Sequence, residues 1–249
     1  MQKSCDIFAF LFCQFRDYLF PNECLFCSKE GAVVCASCVP KPSFHVRCVR
    51  CGFGSFLGVG RDVCENCLHE LGLTSVSVAC VFGEKHVSEL VHALKYEYIE
   101  AVAQVMARVA HEKVFRMSGL SFLQPYSGGG EGTALVSIPL HRRRLCERGF
   151  NQSELFARHF SDLCGIAVSP DLLKRRYFTS TQTELKKQQR LQNVHDAFLC
   201  MKTPPSTVIL IDDVFTTGAT VAECARVLRA RGAKQVHVIA FAAQTIEHL

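Results

Sequence analysis

The stretch VILIDDVFTTGAT, residues 208–220, joins an apolar run to two adjacent carboxylates, a hydroxyl-rich turn and a glycine. This pattern predicts a buried strand that leads through Asp212, Asp213 and a turn into a helix. Ligands bind at the carboxyl ends of strands in open α/β sheets, where ionised carboxylates accept hydrogen bonds from a ribose diol. Amides at a helix N-terminus favour a phosphate, and Gly218 permits close backbone approach. We therefore expect a site for a ribose 5-phosphate.

A plainer interpretation is that the two aspartates only cap the following helix and that Gly218 only eases a turn. Adjacent carboxylates repel each other, however, and a cap needs only one of them. The run of fitting positions in 208–220 therefore favours a ligand site, with the two aspartates as candidate catalytic residues. Its candidate ligand contacts are Asp212, Asp213, Thr216, Thr217, Gly218, Ala219 and Thr220.

Short apolar strands alternate with helical patterns on both sides of this stretch. We predict strands at 76–82, 134–138, 207–211 and 235–242, and helices at 86–96, 99–117, 152–164 and 217–231. This alternation predicts an α/β fold in which helices flank a parallel sheet. The strand at 134–138 should lie beside the strand that carries the aspartates.

Eight of the fifteen cysteines form four C-x-x-C pairs, a spacing typical of metal ligands. Two pairs complete one four-thiolate site that is closed to substrate, so we predict two structural zinc sites. Iron–sulfur ligation or thiol redox chemistry is the alternative, and the spacing leaves the partnering of the pairs open. Reduced thiols also indicate a cytoplasmic protein. The candidate metal ligands are Cys24, Cys27, Cys35, Cys38, Cys48, Cys51, Cys64 and Cys67.

The formal charge of +5 is concentrated in one part of the chain. Eight thiolates with two zinc ions would contribute −8 + 4 = −4 and reduce the total to +1. Residues 141–190, in contrast, contain eleven Lys or Arg and five Asp or Glu, a net charge of +6. We expect phosphate groups to bind there, if anywhere. The apolar run at 7–13 is too short for the roughly 20 residues of a membrane span, and we disfavour a signal peptide because Asp6 interrupts its flank.

Two basic segments are candidates for contact with the ligand. Arg142, Arg143, Arg144 and Arg148 follow a strand directly and could bind pyrophosphate or a nucleic-acid backbone, or form a solvated face. The polar segment 174–193 is a candidate hood that closes over the site and excludes water, with an ordinary polar loop as the alternative. The candidate hood residues are Arg175, Thr179, Gln182 and Arg190.

The 208–220 stretch resembles the signature of type I phosphoribosyltransferases, which bind phosphoribosyl pyrophosphate (PRPP). With the cysteine pairs, the string Leu94-Lys95-Tyr96 and the string 148–152 (RGFNQ), it makes residues 21–242 similar to the ComF/GntX family of phosphoribosyltransferase-like proteins linked to DNA uptake. Tyr177 and Phe178 depart from the family pattern, in which members often carry Arg and Asp. This departure puts the charge contacts of the hood in doubt.

The resemblance implies several expectations about ligands and partners. PRPP would arrive with Mg²⁺, and natural transformation would bring single-stranded DNA and a competence helicase or channel protein as partners. The further PRPP contacts implied are Lys95, Arg142, Arg148, Asn151 and Gln152. We expect three domains: an amphipathic N-terminal helix (1–20) that packs on the body or touches a membrane or partner, a double zinc ribbon (21–72), and a phosphoribosyltransferase-like domain (73–249).

Two functional hypotheses remain. The favoured one is a protein that binds PRPP or a phosphoribosyl nucleotide and contacts single-stranded DNA during uptake. The alternative is an active Mg²⁺-dependent phosphoribosyltransferase that transfers phosphoribose to an unidentified acceptor. Thr216 favours the first, because several nucleobase-using relatives of this class carry an acidic general base at that position.

Overall fold

The protein is described from a computed structural model over residues 22–53, 62–97, 99–116, 132–176 and 195–244. By packing, the chain divides into two compact units, Met1–Pro40 and Lys41–Leu249. The N-terminal helix expected at 1–20 lies outside the described residues. So do the hood residues Thr179, Gln182 and Arg190. No helix within the described ranges is long and apolar enough to cross a membrane.

The described part of the first unit, residues 22–40, is a short loop structure built around the first cysteine quartet. A bridge pairs Glu23 with Glu30, and the amide of Cys24 donates to the carbonyl of Lys29 at 2.9 Å. Its buried apolar side chains are Cys24, Val34, Cys35, Cys38 and Pro40. Three of these five are cysteines, so this segment has almost no apolar core of its own.

The second unit is organised by a four-stranded parallel sheet with the order β1-β6-β5-β2. These strands are β1 (Ser75–Val81), β2 (Thr133–Ser137), β5 (Thr207–Phe215) and β6 (Gln235–Ala243). Parallel strands need crossover connections, which here include helices α2 (Val87–Tyr96), α3 (Ala101–Arg116), α5 (Gln152–Cys164) and α6 (Ala219–Ala230). The predicted α/β fold, a phosphoribosyltransferase-like parallel sheet flanked by helices, is confirmed.

The strand that carries the aspartates is longer than predicted. We expected it to end near residue 211, but β5 continues through Asp212 and Asp213 to Phe215. The reason is its neighbour, because β6 pairs Ala240 with Asp212 and Ala243 with Phe215. The two carboxylates therefore belong to a paired strand end, which holds their backbone more rigidly than a free turn would.

Four elements were not predicted from the sequence. Two are short helices, α1 (Glu65–Leu71) and α4 (Arg142–Arg148). The other two, β3 (Leu173–Arg175) and β4 (Phe198–Cys200), pair antiparallel in a separate two-stranded sheet. Each is only three to seven residues long, which is too short to show a hydrophobic period in the sequence.

The second cysteine quartet lies in the same compact unit as the sheet. Val49, Val63, Leu68 and Leu71 are buried and join the apolar cluster formed by strands and α6. The second half of the cysteine-rich segment therefore has an apolar core in addition to its four predicted metal ligands. The domain limits at 20 and 72 stay a prediction.

Candidate functional site

The acidic doublet lies at the end of β5 and is held by polar partners. Asp213 Oδ2 is 2.5 Å from the ammonium of Lys95 on α2. Asp212 Oδ1 accepts hydrogen bonds from the Ser153 hydroxyl at 3.1 Å and from the amide of Asp213 at 2.9 Å. Neither carboxylate therefore points unpartnered into the apolar core, which is the arrangement that a polar ligand site requires.

The two carboxyls differ in acidity. Burial and the negative charge of Asp213 raise the pKa of Asp212 to about 7, against the effect of Lys95. Burial acts in the same direction on Asp213, but the charge of Lys95 and its hydrogen bond outweigh it, so the pKa of Asp213 is lowered. Near neutral pH, Asp213 is therefore ionised and paired, whereas Asp212 exchanges between its protonated and ionised forms.

The turn between β5 and α6 presents backbone amides without partners. Among the described residues, none accepts a hydrogen bond from the amides of Thr216, Thr217 or Gly218. Gly218 has φ +81°, a left-handed conformation at the N-terminus of α6. Thr217 is buried, and its hydroxyl accepts from the amide of Ala219, the first residue of α6, at 3.4 Å. Free amides at a helix N-terminus favour an anion.

The basic residues of 142–148 lie on α4, and their surroundings differ. Arg142 is exposed, and Arg143 forms an ion pair with Glu147 at 3.0 Å. Burial and the charge of Arg148 lower the pKa of Arg144. Burial and the charge of Arg144 also lower the pKa of Arg175, whereas the charge of Asp212 acts to raise it. Two guanidiniums that repel each other beside a carboxylate favour an anion between them.

The string at 151–153 joins this region to the doublet. Asn151 Nδ2 donates to the carbonyl of Ile138 at 3.0 Å, and its Oδ1 accepts from the amide of Ser153 at 3.1 Å. Asn151 thus ties the end of β2 to the start of α5. Gln152 is buried, and its Nε2 has no hydrogen-bond partner among the described residues. An unpaired buried donor is costly unless a ligand or water accepts from it.

A cavity of about 410 Å³ opens beside α2 and shares Lys95 with the doublet. The ring of Tyr96 lies on its edge, is 57% exposed, and carries the Arg148 guanidinium 5.3 Å from its centroid. The remaining lining residues are Phe82, Ser88, Glu89, Val91 and His92. An exposed aromatic face with a cation beside it is a surface on which a planar base could stack.

The eight predicted metal ligands lie in two groups, one in each compact unit. Within each group the four sulfur atoms all lie within 4.8 Å of one another. The Cys27–Cys35 and Cys51–Cys64 sulfur distances are 3.5 and 3.7 Å. A tetrahedral zinc–thiolate site with bonds of about 2.3 Å has sulfur–sulfur edges of about 3.8 Å. The residues therefore fit zinc, and the structure groups neighbouring pairs together, a choice that the spacing had left open.

Backbone geometry supports the same interpretation. The amides of Cys35 and Cys64 donate to the sulfurs of Cys24 and Cys48 at 3.4 and 3.3 Å. Gly52, directly after Cys51, has φ +69°, a left-handed conformation that turns the chain back between the two cysteine pairs. Amide donors stabilise thiolates, and thiolates are the form that binds a metal.

Comparisons with known proteins agree with this architecture. A sequence model of the phosphoribosyl transferase domain matches residues 151–248. The chain is 30% identical over 227 residues to the DNA utilization protein YhgH of Salmonella typhi, which covers 88% of this chain and 95% of the relative. It belongs to the ComF family. A second YhgH, from Salmonella typhimurium, is 35% identical over 155 residues, or 61% of this chain and 64% of that protein. Competence protein F of Haemophilus influenzae is 27% identical over 229 residues, covering 88% and 96%.

Sequence reasoning missed two residues in this ComF-family site. Ser153 donates to Asp212, although we named only its neighbours Asn151 and Gln152. Its position two residues after the N-cap of α5 was the available signal. Arg144 was considered only as one of four arginines, whereas burial and Arg175 single it out. Both depend on which face of a helix turns toward β5, which one sequence does not show.

Proposed function

We propose that this ComF-family chain binds PRPP or a phosphoribosyl nucleotide and acts in the handling of single-stranded DNA. The observation that carries the proposal is that the acidic doublet lies at the same strand end as three amides with no acceptor among the described residues. Carboxylates suit the ribose hydroxyls, and the amides suit the 5′-phosphate. Arg144 and Arg175 would hold the pyrophosphate oxygens. The names of the relatives, DNA utilization protein and competence protein, support the role in DNA handling.

Contact with single-stranded DNA would use the exposed surface beside this site. Arg142 is exposed on α4, and Tyr96 is 57% exposed beside Arg148. Cations bind the phosphate backbone and aromatic rings stack on bases, so the combination suits a single strand. A competence helicase or channel protein is the protein partner that family membership favours.

The first experiment is a calorimetric titration of the full chain with PRPP and Mg²⁺. The double variant Asp212→Asn, Asp213→Asn should bind PRPP about 100-fold more weakly, because two charge-assisted hydrogen-bond acceptors are lost. Asp171→Asn is the matched control, since Asp171 is exposed and only pairs loosely with Lys202. Wild-type protein that does not bind PRPP or phosphoribosyl nucleotides would sink the proposal.

The second experiment tests DNA contact by fluorescence anisotropy with a labelled single strand. Replacing Arg142, Arg143 and Arg144 by Ala should weaken binding and reduce its salt dependence, because fewer counterions are released. The control replaces three other exposed cations, Arg108, Arg158 and Lys202. Equal losses in both triple variants would mean that α4 is not the DNA-binding surface.

An active transferase is the second candidate, and the raised pKa of Asp212 favours it. A carboxyl that titrates near neutral pH can accept a proton from an acceptor molecule. The acceptor atom would bond to C1 of the ribose, the C1–O bond to pyrophosphate would break with its electron pair, and the acceptor proton would pass to Asp212. Pyrophosphate release in the presence of nucleobases or DNA ends, lost in Asp212→Asn, would establish this candidate.

A further inference from the structure

The second four-cysteine group and the turn at 216–218, called the phosphate turn below, meet at α1. Cys64 directly precedes α1 and Cys67 lies within it, while Leu71 ends the helix. The helix has only seven residues. The cysteines are therefore within two turns of Leu71, which packs beside Gly218. Neither family resemblance nor the proposed PRPP contacts assign a role to this helix.

Arg50 connects the two sites directly. It lies between Cys48 and Cys51, and its Nε donates to the carbonyl of Thr217 at 3.2 Å. Its Nη1 lies 2.5 Å from Glu70 on α1, and the guanidinium also interacts with the sulfur of Cys67. The side chain is 13% exposed. One guanidinium therefore holds a metal ligand, α1 and the phosphate turn together.

A second contact joins α1 to the turn independently of Arg50. A Cβ on Gly218 would lie 2.9 Å from Leu71 Cδ2 and 3.1 Å from Phe215 Cζ. The side chain of Leu71 therefore packs directly against the backbone of Gly218. The end of α1 therefore supports the backbone of the turn that presents these amides.

We propose that Arg50 is a positioning residue that couples occupancy of the second four-cysteine site to the shape of the phosphate turn. The inference rests on the proposed function, because it takes the turn as the phosphate site. A metal bound there would supply a rigid tetrahedral anchor for Cys48, Cys51, Cys64 and Cys67. Arg50 and Leu71 then hold the carbonyl of Thr217 and the backbone of Gly218 in place, which fixes the direction of the amides.

Linkage makes this coupling reciprocal. If the metal-ordered α1 favours the ligand-binding shape of the turn, then a bound phosphate must favour the metal-bound form by the same factor. Of two zinc ions in the full chain, the one at the second site should therefore become harder to remove when PRPP is bound. The first site, Cys24 to Cys38, lies in the other compact unit, and we expect no such protection there.

The experiment uses zinc-loaded full-length protein with a chromogenic chelator, with and without saturating PRPP and Mg²⁺. In the wild type, PRPP should raise about tenfold the free-chelator concentration that removes half of one of the two zinc ions at equilibrium, since tenfold is a typical size of a coupling between sites. Arg50→Met should lose this protection and bind PRPP about tenfold more weakly, as expected for a lost charged hydrogen bond. Arg47→Met is the matched control, because Arg47 is exposed three residues away.

The outcomes separate the inference from the proposed function. No PRPP binding by the wild type overturns the proposed function. PRPP binding without protection of zinc, or full protection in Arg50→Met, overturns the coupling alone. If Arg50→Met fails to retain zinc, Arg50→Lys takes its place, since Lys keeps one donor but cannot bridge Cys67, Glu70 and Thr217 together. Arg50→Lys should retain both zinc ions and lose part of the protection, and wild-type protection in this variant would then count against Arg50.

Discussion

The two four-cysteine sites have the same ligands but different surroundings. The first, in residues 22–40, buries little besides its own cysteines, Val34 and Pro40. The second has Val49 and Val63 between its ligands and Leu68 and Leu71 after them, and these side chains belong to the apolar cluster of the sheet. The comparison teaches that one sequence motif serves two physical purposes. A metal bound at the first site would take the place of a core, whereas a metal bound at the second would add to one.

The largest effect should come from removing a ligand of the first site. Cys24→Ser should lower zinc content from about two to about one ion per chain and abolish protection from amide exchange across 22–40, because metal binding supplies the folding free energy of such segments. Hydrogen exchange with mass spectrometry and zinc analysis measure both. The unit from Lys41 onward should keep its protection. Retained protection of 22–40 without its metal would break the comparison.

A buried ion pair that includes Asp62, between the two cysteine pairs of the second site, should have the next largest effect. Asp62 and Lys113 are each 1% exposed and lie 3.1 Å apart, and Asp62 also accepts from the amide of Val78 at 2.7 Å. Lys113→Met leaves Asp62 buried without its partner, so we expect a loss of about 3–5 kcal/mol in the free energy of unfolding by urea.

The double variant Asp62→Asn, Lys113→Met controls for the unpaired charge. It should recover part of the loss, because no isolated charge remains buried. The zinc content of the first site should be unchanged in both variants. A loss below about 1 kcal/mol in Lys113→Met would mean that the second site does not depend on this link to α3.

The second site also differs from the first because α1, which carries Cys67, contacts the phosphate turn. Gly218→Ala should cost about 1–3 kcal/mol, because it combines a left-handed backbone with a clash against Leu71. Gly165→Ala is the matched control, since Gly165 has φ +73° but open space around its Cβ position. The difference between the two losses in thermal unfolding isolates the packing contact. Leu71→Ala combined with Gly218→Ala should relieve the clash, and equal losses in the two glycine variants would contradict it.

The smallest effect concerns pH and affects only the unit that contains the doublet. The pKa of Asp212 is raised to about 7 in the folded protein, so the folded state binds this proton more tightly than the unfolded state. Its contribution to stability is therefore present at low pH and is lost as pH rises toward 7. Asp212→Asn removes this loss. Relative to the wild type, the variant should gain about 1 kcal/mol in unfolding free energy between pH 6 and pH 8. A constant difference across this range would refute the raised pKa.

Sequence patterns predicted the four strands of the parallel sheet and the four longer helices. The helix expected at 152–164 has those bounds in the structure, and the strand expected at 235–242 is one residue longer. The extension of β5 past Ile211 was missed because aspartates are unfavourable in strands, and only pairing with β6 overrides that preference. The partners of the doublet, Lys95 and Ser153, lie 118 and 59 residues away along the chain from Asp213 and Asp212. No local pattern links such distant positions.

The amino-acid sequence by itself determined the α/β class, the strand-turn-helix with its two aspartates, and four C-x-x-C pairs with metal-ligand spacing, because each depends on short-range spacing and residue chemistry. Tertiary structure alone decided that Lys95 neutralises one aspartate while burial keeps the other near pKa 7. It also decided that the second cysteine group shares a guanidinium with the phosphate turn. These features depend on distances between residues far apart in the chain, and such distances exist only after the sheet has assembled and its helices have packed.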